Sequence, residues 1–170
     1  MMDFAFDYIS VNAFWTIVLI VHALLAVATL GALTHQAMSV AMPARQAAGP
    51  AGFVTRFRGV YGAGYATAIC VLWVATFILG AWIYTKYRIA VRIPLERTGY
   101  WKTLGFFELK EHIAALGLGL LPAYWYFWRQ QPLNSEYSST RKWLTVLLAF
   151  IVWWSFLVGH VLNNIKGLLP

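Results

Sequence analysis

This 170-residue chain has a single cysteine and only six acidic residues, and charged residues of either sign make up only 11% of it. The lone Cys70 excludes an intramolecular disulfide and any CxxC motif for metal or covalent haem attachment. So little charge excludes a soluble domain of this size, whose surface draws on roughly 25% charged residues. Asp3 and Asp7 stand where a cleavable signal peptide would carry basic residues, so none is expected. The net charge of +7 does not imply nucleic acid. Its basic residues fall between apolar runs, where they meet lipid headgroups or the anionic groups of a bound ligand.

What is present is apolar: 61% of the residues are hydrophobic, gathered into runs at 13–40, 60–84, 104–128 and 143–162. Each reaches the ~20 residues that cross ~30 Å of hydrocarbon. Backbone groups in lipid must be paired within the segment, so these runs are helices. The expected fold is all-α, an integral membrane four-helix bundle in a single domain, 1–170, lodged as a multi-pass protein in a bacterial inner (cytoplasmic) membrane. Residues 1–12 form a lead-in to the first helix, Pro43 ends that helix, and Gly59, Gly62, Ala63 and Gly64 let the second approach a neighbour closely. Call the N-terminal side A and the other side B. Arg45, Arg56, Arg58, Arg129, Arg141 and Lys142 fall on side B; Lys86, Arg88, Arg92, Arg97, Lys102 and Lys166 fall on side A. With six on each, the positive-inside rule leaves orientation open.

The chemistry concentrates at residues 105–116, GFFELKEHIAAL, where Glu108, Lys110, Glu111 and His112 interrupt an apolar run. Ionisable groups within a span cost ~2.5–3.5 kcal/mol each near its centre, so they are functional candidates. Helical rise places His22 and His112 both ~12 Å below side A, and His160 ~3–6 Å below it. Three histidines on three helices thus share one half of the membrane. His35 lies ~20 Å further along the first helix and has no second histidine at its depth.

A pair of buried imidazoles from two helices suits one b-type haem, with His22 and His112 as axial ligands and His160 as the alternative. Gly31, Ala26, Gly117 and Gly119 offer room for a porphyrin, and Arg88 and Arg92 offer cations for its propionates. Glu108 and Glu111 are candidates for a proton relay or a quinone site, because quinone reduction takes up protons with its electrons. The same residues also have plainer explanations. A histidine in a span is often a hydrogen-bonded packing residue, and charges at a helix entrance often pair with each other.

The segment HALLAVATLG, residues 22–31, resembles the His-x8-Gly opening of copper-resistance D-type membrane proteins and the first helix of bacterial membrane protoporphyrinogen oxidase. Thr29 stands where that pattern carries Trp, and the Leu-Pro-Arg that follows it in the oxidase is missing, so the oxidase activity is not implied. In layout the chain also resembles small four-helix b-type cytochromes. That resemblance implies electron transfer between a quinone pool and a partner protein or larger membrane complex, as a quinone-linked oxidoreductase or electron-transfer subunit. The alternatives are a non-catalytic anchor or scaffold subunit of a larger complex, and a copper-handling protein using the histidines and methionines.

Overall fold

The computed structural model describes residues 10–42, 52–58, 62–131 and 134–168. The lead-in 1–9, Pro43, Arg45 and the small-residue segment 59–61 lie outside the described residues. Among those described, the chain is helical with no strand: α1 (Val11–Ala41), a short α2 (Phe53–Arg58), α3 (Ala63–Tyr87), a π-helical turn Arg88–Arg92, α4 (Ile93–Arg97), α5 (Trp101–Arg129), a 3-10 turn Ser135–Tyr137 and α6 (Ser138–Ile165).

Local chemistry sets the boundaries. The side chain of Ser10 accepts from the Ala13 N–H at 3.2 Å and caps α1. Pro94 sits in the first turn of α4, where a missing N–H is tolerated. Gly99 then closes α4: its φ is +78°, its N–H donates to the Glu96 carbonyl at 3.2 Å, and the Tyr100 N–H donates to Leu95 at 2.9 Å. That is a Schellman cap, which places its glycine in the left-handed region. The four long helices overrun the apolar segments by a few residues at most ends. Hydropathy marks where lipid could lie, whereas a helix continues until a cap or breaker stops it.

Three segments are long and apolar enough to cross a membrane: α1, the run Ala63–Arg97, and Ser135–Ile165. They support a multi-pass membrane protein. The fourth long helix, α5, is less apolar because Glu108, Lys110, Glu111 and His112 fall in its first half and Pro122 with four Tyr and Trp residues in its last turns. Outward faces carry Leu24, Ile78, Leu116 and Phe150, each at least 60% exposed. Apolar faces this continuous are compatible with lipid contact and rare on soluble monomers.

Each long helix packs against two others, α1 on α3 and α6, and α5 on α3 and α6. Neighbours run antiparallel. Trp125 at the end of α5 donates to Thr67 at the start of α3 at 3.1 Å, and Trp153 in α6 donates to Thr34 near the end of α1 at 3.0 Å. The core has two parts. Leu33, Ala66, Ile69, Trp73, Leu121, Tyr124 and Leu148 fill the side-B half. Tyr87, Val91, Leu95, Leu104, Phe107, Leu162 and Leu168 close the side-A end.

Arg141, expected at the headgroups, is instead 8% exposed. It donates to the carbonyls of Gln131 at 2.6 Å and Asn134 at 2.9 Å, tying down the turn between α5 and α6.

One close approach needs its glycine. A Cβ on Gly117 would overlap Cζ2 of the Trp73 ring and come within 2.8 Å of Cη2 and 3.3 Å of Ile151 Cγ2. Overpacking of this kind costs ~1–3 kcal/mol. Gly117→Val is therefore expected to lower the thermal unfolding midpoint of the detergent-solubilised protein. Gly119→Val, with nothing within 4 Å of its Cβ position, is expected to leave it unchanged.

Candidate functional site

Between the two parts of the core lies a cavity of about 310 Å³, walled by all four long helices. The residues facing it follow helical spacing: His22, Ala26 and Thr29 on α1; Trp73, Phe77, Gly80, Tyr84 and Tyr87 on α3; Phe107, Lys110, Glu111 and Ala114 on α5; Val152, Ser155, Phe156, Gly159, His160 and Asn163 on α6. Trp73 comes from the side-B core, whereas Tyr87, Phe107, Leu162 and Leu168 come from the side-A cluster. The wall is mainly apolar, with polar groups at a few points, the usual make-up of a ligand site.

His22 is packed against Gly80. A Cβ on that glycine would sit 3.2 Å from the imidazole Cε1, so the bare backbone makes room for the ring. Its Nδ1 is buried with no partner in hydrogen-bond geometry, although the Thr76 backbone lies beside the ring. Ser155 Oγ and Tyr87 OH, in the same wall, are also buried without a partner. Buried polar groups left unpaired cost ~1–3 kcal/mol each. Three around one cavity point to something that binds there.

His160 faces the cavity from α6, its ring parallel to Phe156 within 3° at a centroid distance of 6.2 Å. Towards side A, Lys110 Nζ lies 2.6 Å from Glu111 Oε1 and 4.5 Å from the centre of the Phe107 ring. Phe107 stacks on Tyr87 at 4.2 Å, and Tyr84 stacks on the same tyrosine at 5.5 Å. Lys166, just past α6, completes the rim.

The structure thus places His22, His160 and Glu111 in the wall of one cavity, without gathering them at a single point. It does not bring His112 to them: that side chain is exposed, and its Nδ1 lies 2.7 Å from the carbonyl of Glu108 in its own helix. Glu108 and Arg92 also lie outside the cavity wall. Arg92 Nε binds Glu96 at 2.7 Å, and its NH1 is 3.4 Å from Glu108. Arg88 is exposed on the π-helical turn. His35 sits in the side-B half, its Nδ1 3.4 Å from Tyr65 OH with the two rings edge-on. Of the small residues expected to give a porphyrin room, Ala26 faces the cavity, Gly117 is filled by Trp73, and Gly31 and Gly119 are exposed.

Sequence reasoning passed over Tyr87, Ser155 and Gly159, and counted Lys166 only as one of six side-A basic residues. The signal was there for two stretches: residues 80, 84 and 87 share a face of α3, and 152, 155 and 159 a face of α6. No protein-family model, no curated relative and no solved structure matches this chain.

Proposed function

We propose that this chain is a b-type cytochrome whose four long helices all cross a bacterial inner membrane as one bundle, with a single haem in the side-A cavity between His22 and His160. The observation that carries the reading is that these two histidines, from different helices, face the same largely apolar cavity. The buried, unpartnered Nδ1 of His22 adds to it. Haem iron takes four ligands from its porphyrin and needs only two imidazoles from the protein. A bare copper ion would draw on more side chains, and among the described residues no three His, Cys, Asp or Glu groups gather for one.

When bound, the haem supplies a one-electron couple within the membrane. The chain's own residues do the rest. Gly80 leaves the space in which the His22 ring lies, and Phe156 holds the His160 ring by parallel stacking. Ala26, Ala114 and Gly159 keep the walls apart, while Trp73, Phe77 and Val152 exclude water. His22 and His160 would both hold the haem, which would leave no site open for a small molecule. That suits electron transfer, here between a quinone pool and a partner protein, better than ligand activation. Glu111, the carboxylate in the cavity wall, is placed to exchange protons beside the site. His112 has no part in the iron site under this reading.

The test is a reduced-minus-oxidised visible spectrum with a pyridine haemochrome assay, on protein purified in detergent from cells supplied with haem. A b-type α-band at about one haem per chain is expected. A colourless protein that carries large partners through purification would replace this reading with that of a membrane anchor subunit.

A further inference from the structure

We infer that the side-A rim of the cavity is a carboxylate-binding site, in which Tyr87 OH and Lys166 hold the acid end of a ligand whose apolar body lies deeper among the helices. Tyr87 is 4% exposed, and its hydroxyl is buried with no hydrogen-bond partner. The ring stacks on Phe107 and on Tyr84, with interplanar angles of 27° and 25°. Packed against both, and in the cavity wall, the side chain has little freedom to turn its hydroxyl away.

Charge leads to the same class of ligand. Two lysines stand at the rim, and Glu111 neutralises only one of them, binding Lys110 at 2.6 Å. Lys166 has no carboxylate within ion-pair distance among the described residues. One ammonium without an ion-pair partner and one unpaired phenol, lining the same largely apolar cavity, match an anionic acceptor on an apolar molecule. The arginines that the sequence offered for this task are not in the wall: Arg92 is engaged by Glu96 and Glu108, and Arg88 is exposed.

Taken with the haem reading, on which this form of the inference rests, the acid end is a porphyrin propionate. A free fatty acid carries the same chemistry. The experiment uses the full chain, purified without haem from haem-limited cells and titrated in detergent with iron protoporphyrin IX or with its dimethyl ester. The wild type is expected to bind the free acid about tenfold more tightly than the ester, the scale of one charge-assisted hydrogen bond. Tyr87→Phe and Lys166→Met should each reduce that preference while leaving ester binding unchanged. Tyr87→Phe should also leave the ligand-free protein at least as heat-stable as the wild type, because it removes an unpaired buried hydroxyl. Equal binding of acid and ester by the wild type overturns the carboxylate site and leaves the haem reading standing. If neither porphyrin binds, the haem reading falls and labelled oleate decides: retention by the wild type but not by Lys166→Met supports the carboxylate site, and no retention overturns it.

Discussion

His22→Ala and His160→Ala are each expected to lose the b-type α-band, while His112→Ala keeps it at wild-type intensity per chain. The sequence alone would not order the three this way, because His22 and His112 share a depth of ~12 Å and look like the natural pair. The structure separates them by direction. His112 is exposed and hydrogen-bonded along its own helix to the Glu108 carbonyl, whereas His22 and His160 face the same cavity. With either histidine removed, a bound haem would keep only one imidazole from the protein, so the band should be lost or replaced by a weak high-spin spectrum. Far-ultraviolet circular dichroism and gel filtration of each variant show whether the helices are retained, which separates loss of a ligand from loss of fold. The opposite pattern, in which His112→Ala bleaches the protein and His160→Ala does not, would mean that the iron lies outside this cavity.

Depth is legible in the sequence, because helical rise is fixed and apolar runs are local. All four long helices fall where the runs lie, and the histidines other than His35 fall in the side-A half. Direction around the helix was harder to read. Adjacent residues of a helix differ by ~100°, so Glu111 can face the cavity while His112 faces away. Choosing between them needs the packing of α5 against α3 and α6, which α5's own sequence marks weakly: Phe107, Glu111 and Ala114 share the inward face, and only their company with Tyr87 of α3 identifies it. Arg92 gives a second case. As one of five basic residues in the side-A loop it resembled an anion clamp, yet Glu96 stands four residues on, the spacing of a helical ion pair. That pairing was readable in advance, but Glu108, the other partner, comes from a different helix and was not. The cavity itself was invisible for the same reason, since it is the space left where Gly80, Ala26, Ala114 and Gly159 come together from four separate stretches of chain.

Gln36→Leu is expected to lower stability markedly, with no effect on the haem spectrum. Gln36 is 2% exposed in the side-B half. Its Nε2 donates to the Gly62 carbonyl at 2.8 Å, and its Oε1 accepts from Tyr124 OH at 2.5 Å. The side chain therefore joins α1 to the start of α3 and to α5, and Tyr124 is fully buried. Leucine is close in volume, so little of the loss should come from packing; it comes from leaving the Tyr124 hydroxyl without its partner, because the Gly62 carbonyl still accepts from the Tyr65 N–H at 3.2 Å. One orphaned hydroxyl is worth ~1–3 kcal/mol. Interhelical hydrogen bonds measured within membranes average only ~0.6 kcal/mol, because the unfolded chain in lipid also finds partners. A loss of ~1 kcal/mol would place Gln36 with that average, and a larger one would mark the network as a fixed joint. The double variant Gln36→Leu/Tyr124→Phe separates the contributions. Removing both ends of the Tyr124 bond leaves no orphaned hydroxyl, so the double variant should unfold at a higher temperature than additivity of the two singles allows. Strict additivity would mean that the two side chains do not depend on each other. Because this joint lies in the side-B half and faces no part of the cavity, the variant should keep the wild-type α-band at low temperature and lose it only when the helices part.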